Sequence, residues 1–216
     1  LAKKCRRIDI EVIVRGYITG SSSTSLWTLY KDNKHDVYSI TLPEGLVKNQ
    51  KLDASAIADY DHIINLTGAG IVDEPWTDER KKEIVDSRVK STELLAKAIS
   101  SNSNKPKSFV SASAVGYYGF VTGEHIFKEN DASGNDFLAE TCELWEQSTN
   151  SIKKLGIPTA LIRIGIVLDK NGGALKEMAK PVKLYAAAPL GSGKQYMPWI
   201  HIDDLCRMFI HAMENK

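Results

Sequence analysis

The strongest constraint on how this chain can fold is a strand–helix–strand unit between His62 and Ser113. His62-Ile-Ile-Asn-Leu66 is a short apolar run that stops at Thr67-Gly-Ala-Gly70. From 77 to 100, Ile84, Val85, Val89, Leu94, Leu95, Ala98 and Ile99 recur at helical spacing behind Thr77, a suitable N-cap with Arg80 three residues on. Ser101-Asn-Ser-Asn-Lys-Pro106 ends that helix, and Ser108-Phe-Val-Ser-Ala-Ser113 is the next apolar run. The same alternation continues on both sides. Strands are predicted at 8–14, running into Gly16, at 37–42, stopped by Pro43, and at 159–168. Helices are predicted near Leu26, Leu29 and Tyr30, at 136–155 and at 203–213. Alternating strands and helices imply an α/β fold, a doubly wound parallel sheet with helices on both faces and right-handed connections. The expected strand order is 3-2-1-4-5 with the first strand central. Such sheets bind ligands beyond the carboxyl ends of their strands, where the irregular segments 16–25, 67–70, 111–119 and 165–168 fall.

Composition narrows the function. The 216 residues are 43% hydrophobic, enough for one large domain, and 28 Lys+Arg against 27 Asp+Glu give a net charge of +1. That balance argues against nucleic acid as the partner. No apolar run reaches the ~18–20 residues of a membrane span. The three cysteines, Cys5, Cys142 and Cys206, are too scattered for a disulfide framework or a zinc site, so a reducing intracellular compartment is expected. The start, Leu1-Ala-Lys-Lys-Cys-Arg-Arg7, lacks the apolar core of a secretory signal and reads as an exposed basic end or the remnant of an organellar leader; without Met at its head, the chain reads as processed or partial.

A dinucleotide-binding fold needs glycines in its first strand-to-helix turn, so that backbone N–H groups can reach a pyrophosphate. The turn here is Arg15-Gly-Tyr-Ile-Thr-Gly-Ser-Ser-Ser-Thr24, which keeps Gly16 and Gly20 but not a three-glycine fingerprint. Serine can donate a hydroxyl to phosphate, yet its Cβ resists the closest approach. Ile40-Thr-Leu-Pro43 offers neither an acid for ribose hydroxyls nor an arginine for a 2′-phosphate, so NAD and NADP are not distinguished. Arg163, at the head of a strand, is open to two readings, a substrate-anion contact or an internal ion pair. His201 with Asp203 and Asp204 lacks a metal signature; the acids suit the cap of the following helix, and no metal is expected. Trp199 is expected in the core, Cys142 buried and inert, and Arg80-Lys-Lys82 on a solvated helix face.

Four stretches are more specific together: Ile64-Asn-Leu-Thr-Gly-Ala-Gly70; Trp76 with Ser87-Arg88 and Thr92; Ser111-Ala-Ser-Ala-Val-Gly-Tyr-Tyr-Gly119; and Gly191-Ser-Gly-Lys-Gln-Tyr-Met-Pro-Trp-Ile-His-Ile-Asp-Asp-Leu205. In this order they resemble the extended short-chain dehydrogenase/reductase superfamily, and within it the atypical epimerase-like branch of the family 39U member 1 and bacterial YfcH type. Phe137-Leu-Ala-Glu140, Leu161-Ile-Arg-Ile-Gly-Ile-Val-Leu168 and Gly172-Gly-Ala-Leu175 extend the match. The resemblance implies a single NAD(P)-binding Rossmann-like domain over 1–216, with a C-terminal substrate lobe absent or truncated. It implies NADP as cofactor, NAD being the alternative, and a mitochondrial or cytoplasmic setting. Gly16, Thr19, Gly20, Ser21, Ser22 and Ser23 would bind the pyrophosphate. Asn65, Leu66, Thr67 and Gly68 would line the adenosine and ribose side, with Arg88 and Ser111 also facing the cofactor. Ser111, Ser113 and Tyr118 are the candidate catalytic residues, with Tyr117 as a second phenol. The superfamily's Tyr-x-x-x-Lys pair falls on Leu138 and Cys142, which cannot move a proton as that pair does. Two functions follow: an NAD(P)-dependent oxidoreductase of unknown substrate, or a catalytically silent structural or cofactor-sensing subunit of a larger protein assembly.

Overall fold

The computed structural model describes residues 11–13, 36–37, 40–41, 47–48, 51–52, 54–58, 60–72, 74–120, 123–170, 173–186, 188, 193 and 195–215. They form two compact units, Leu1–Ala112 with Leu144–Leu161, and Ser113–Glu143 with Ile162–Lys216.

In the first unit, β1 (Glu11–Ile13) pairs in parallel with His62–Asn65, which pairs in parallel with Ser108–Ala114. Two short antiparallel hairpins come between in sequence: β2 (Asp36–Val37) with β3 (Ile40–Thr41), and β4 (Val47–Lys48) with β5 (Lys51–Leu52). The parallel strands are therefore β6 (His62–Asn65), β7 (Ser108–Ala114) and β8 (Thr159–Ile164), and the four-stranded sheet has the order β1-β6-β7-β8. This overturns the expected order. The segment at 37–42 folds back on itself, Val37 against Ile40, so His62–Asn65 takes the place beside β1, and β1 stands at the edge of these four strands. Ile13 lies opposite Asn65, and Asn65 opposite Ser111. The carboxyl ends of β1 and β6 thus lie side by side.

Ile63, Ile64, Phe109 and Val110 are buried, as the near-continuous apolar runs of a parallel sheet require. The core gathers Ile57, Ile63, Leu95, Ile99, Phe109, Ile152 and Ile157. Helix α1 (Asp78–Ser101) starts where the capping signal puts it, with Thr77 Oγ1 accepting the Arg80 N–H at 3.2 Å. At its far end Lys105 Nζ donates to the carbonyls of Ile99, Ser100 and Asn102. Only its second half buries an apolar stripe. From Arg80 to Thr92 the buried side is mostly polar, with Arg80, Ser87, Arg88, Ser91 and Thr92 around Ile84.

The expected helix at 136–155 is two, α2 (Phe137–Ser148) and α3 (Asn150–Lys153), parted at Thr149, whose hydroxyl donates to the Glu146 carbonyl. Asp136 caps α2 through the N–H groups of Leu138 and Ala139.

In the second unit, the run expected as one strand breaks at Gly165 into the end of β8 and β9 (Ile166–Asp169), which pairs in parallel with β10 (Trp199–His201). Only glycine fits at the break: a Cβ on Gly165 would lie 2.7 Å from the Pro198 carbonyl oxygen. Helix α4 (Gly173–Lys183) was not anticipated. Helix α5 (Ile202–Glu214) buries Leu205, Phe209 and Met213, and its cap is His201, whose Nδ1 accepts the Asp203 N–H; the two acids occupy the first turn instead of the cap. Trp199 is 61% exposed and is not a core residue. No described helix is long and apolar enough to cross a membrane.

Candidate functional site

The loop after β6 is built around Asn65, which is fully buried. Its Nδ2 donates to Thr92 Oγ1 at 3.1 Å and Ser111 Oγ at 3.3 Å, while Oδ1 accepts from the Thr67 N–H and hydroxyl at 3.2 and 2.7 Å. An amide has two hydrogens to give and room for two acceptances, and all four are used. The loop is then fastened from α1. Ser87 Oγ accepts the Ala69 N–H, Arg88 Nη2 donates to the Ala69 carbonyl, and Arg80 Nη2 donates to the Gly70 carbonyl at 2.6 Å. The Trp76 indole N–H closes the segment on the Ile71 carbonyl. This explains the polar stripe: the first half of α1 packs against backbone that needs hydrogen-bond partners.

Burial alternates along the loop. Asn65, Thr67 and Ala69 are buried, whereas Leu66, Gly68 and Gly70 stay partly open. Arg88 is itself 7% exposed, bonded to the Ile84 carbonyl, with its guanidinium 5.0 Å from the Trp145 ring centroid. It lies flat on Gly68, where a Cβ would stand 2.9 Å from Arg88 Cζ. Arg88 is a fastener of this loop, as is Ser111, whose buried hydroxyl donates to the Ala112 carbonyl. Arg80 was read as part of a solvated face, yet it is 7% exposed. The signal was present, since 80, 84, 87, 88 and 91 share one helical side.

The second cluster follows β7. Ser113 is buried, and residues Val115–Tyr118 form a single 3-10 turn ended by Gly119 at φ +95°. Gly116 faces α2: a Cβ there would lie 3.5 Å from Leu138 Cβ and 3.9 Å from Cys142 Sγ. Leu138 and the buried Cys142 thus share the side of α2 that faces Gly116. Tyr118 Oη accepts from Arg163 Nη1 at 2.8 Å and donates to the Lys128 carbonyl at 3.0 Å. Arg163 also donates to the Glu129 carbonyl and stacks 3.5 Å from the Tyr117 ring centroid. The Lys128 N–H at 2.8 Å and His125 at 3.2 Å hold the Asp131 carboxyl below the usual carboxylate range. Gly16, Thr19, Gly20, Ser21, Ser22 and Ser23, together with the helix expected near Leu26, lie outside the described residues. Among the described residues no group of three or more His, Cys, Asp or Glu side chains could hold a metal ion.

A profile of the NAD dependent epimerase/dehydratase family matches residues 18–216. The chain belongs to that family. The chloroplastic SDR39U1 homolog of Arabidopsis thaliana, an epimerase family protein, is 43% identical over 71% of this chain and 44% of its own length. The epimerase family protein YfhF of Bacillus subtilis is 35% identical over 85% of this chain and 58% of its own. The chain thus spans about half the length of the curated relatives it matches. Among solved structures, human epimerase family protein SDR39U1 (isoform 2), determined with NADPH, superposes with a TM-score of 0.68 at 31% identity, covering 93% of this chain and 69% of that one. The Rossmann-like α/β fold and the epimerase-like membership expected from the motifs both hold.

Proposed function

We propose that this family member is the dinucleotide-holding domain of an epimerase-like oxidoreductase that takes NADP(H), with NAD as the alternative occupant. One observation carries the reading: the fastened loop 65–70, which leaves Leu66, Gly68 and Gly70 open at the edge where β1 also ends. Partly open positions, two of the three glycine, leave room for a flat base and ribose, and the fastening means that little ordering remains to be done on binding. Leu66 and Gly68 would line the adenosine side, supported by Asn65, Thr67, Arg88 and Ser111 as positioning residues. Gly16, Thr19, Gly20, Ser21, Ser22 and Ser23 would meet the pyrophosphate with N–H and hydroxyl donors. When bound, a nicotinamide supplies or accepts hydride. The NADPH in the human SDR39U1 structure supports that cofactor. Cys142 and Cys206, which are thiols and not disulfides, suit a reducing compartment, mitochondrial or cytosolic.

The test is fluorescence titration with NADPH and NADH. NADPH is expected to bind the wild type, more weakly than a three-glycine relative would. Gly20→Val should abolish binding by placing a side chain where phosphate must approach. Unchanged titration in Gly20→Val would remove that turn from the site. Leu138 and Cys142 on the side of α2 facing Gly116 favour the second reading, a silent subunit of a larger assembly. A wild type that binds neither cofactor would select it.

A further inference from the structure

We propose that Tyr117, clamped by Arg163, is the group that gives a proton to the substrate's reacting oxygen; this rests on the oxidoreductase reading above. The two neighbouring phenols are held in different ways. The Tyr118 hydroxyl is committed, its proton on the Lys128 carbonyl and its lone pair on Arg163. The Tyr117 hydroxyl has no hydrogen-bond partner among the described residues, although everything else about this residue is fixed. Its carbonyl accepts the Gly134 N–H at 2.8 Å. Its ring meets Tyr118 edge-on at 5.3 Å and carries the Arg163 guanidinium on its face at 3.5 Å. A planar guanidinium stacked on an aromatic face is a rigid, strongly oriented contact.

Location adds the second argument. Gly116, the residue before Tyr117, is the one that faces Leu138 and Cys142. The phenol with an open hydroxyl therefore follows, in sequence, the residue packed against the two positions on which the superfamily's Tyr-x-x-x-Lys pair would fall. In the step proposed, hydride from a bound dihydronicotinamide would add to the substrate's carbonyl carbon and open the C=O π bond, the Tyr117 O–H bond would break as an O–H bond forms on that oxygen, and solvent water would reprotonate the phenolate and leave as hydroxide. Arg163 is the positioning residue. It fixes the Tyr117 ring and keeps Tyr118 occupied.

The decisive experiment uses N-acetylimidazole, which acetylates accessible tyrosyl hydroxyls, on the full chain, with the modified residues located by peptide mass spectrometry. Tyr185, 99% exposed, serves as the internal standard. Tyr117 should be acetylated, and Tyr118 roughly tenfold more slowly, because both its hydrogen bonds must open and one has a charged donor. Arg163→Lys, which keeps a charge but loses the planar stack, should raise the Tyr118 rate toward that of Tyr117, the bond to the Lys128 carbonyl alone remaining. A companion assay follows turnover of a panel of sugar nucleotides and small carbonyl compounds with NADPH. There Tyr117→Phe should lower kcat by about 10²–10⁴-fold with KM little changed, while NADPH affinity stays at the wild-type value. The proposal is overturned if Tyr117 resists acetylation while Tyr185 reacts, if Tyr117→Phe turns over like wild type, or if a wild type that binds NADPH turns over none of the panel. Failure of the cofactor reading looks different: neither NADPH nor NADH binds, whatever the acetylation pattern.

Discussion

Asn65 uses its whole hydrogen-bonding capacity inside the chain, so its replacement strands partners. Asn65→Ala leaves the buried hydroxyls of Thr92 and Ser111 without their donor and frees Thr67. A loss of about 1–3 kcal/mol is expected in urea unfolding, together with weaker NADPH binding. Gly68→Ala places a methyl 2.9 Å from Arg88 Cζ. That guanidinium is pinned on two carbonyls, so overpacking of ~1–3 kcal/mol is expected by the same measurement. Asp131 responds to acid. Its carboxyl is held low first by the Lys128 N–H and next by His125. A depressed folded value means that its contribution is present above the ordinary carboxylate range and fades as pH falls through the lower folded value. Asp131→Asn should therefore lower the thermal midpoint at pH 6, and the difference from wild type should shrink as the pH is taken below the ordinary carboxylate range. At this scale the sequence marks Asn65–Gly68, Arg88 and Ser111 as residues of interest but does not show how they bond to one another. Ser111 and Arg88 carry functional residue types, yet only three-dimensional burial shows that they bond to the chain itself.

Elements were legible where a local signal sufficed. Thr77 begins α1 because its hydroxyl meets the Arg80 N–H, and the Glu79 carboxyl is lowered by its own N–H and by the Thr77 hydroxyl. Thr77→Ala should cost about 1 kcal/mol in urea unfolding. The breaks were not legible. Val37-Tyr-Ser-Ile-Thr-Leu42 carries the apolar content of one strand, but whether it extends or folds back depends on partners far along the chain. Leu161-Ile-Arg-Ile-Gly-Ile-Val-Leu168 reads as continuous because nothing local reveals the Pro198 carbonyl against Gly165. Gly165→Ala tests that contact: it must push backbone away from backbone, so loss of the Ile166–Pro198 hydrogen bond and ~1–3 kcal/mol or more are expected. Slower-to-faster exchange of the Ile166 amide would report it.

At the scale of the whole molecule, the alternation of strands and helices was enough to give the α/β class, because parallel strands admit few connections. Strand order was not, since it depends on how many strands are counted before His62. We propose that residues 1–216 unfold as one cooperative domain: a single calorimetric transition is expected, and two separated transitions would show two domains. Bound NADPH at about 100 times its Kd should add ~2.7 kcal/mol of stability and raise that transition.

The alternation along 65–70 has an evolutionary consequence. Its two-residue beat acts as a ruler. Substitution at Leu66 changes one open side chain and leaves the fastening in place. Removing or adding one residue between Asn65 and Ala69 reverses the beat, turning the anchors outward and the bare positions in. Lineages of this chain are thus expected to vary at Leu66 more readily than in the length of this segment.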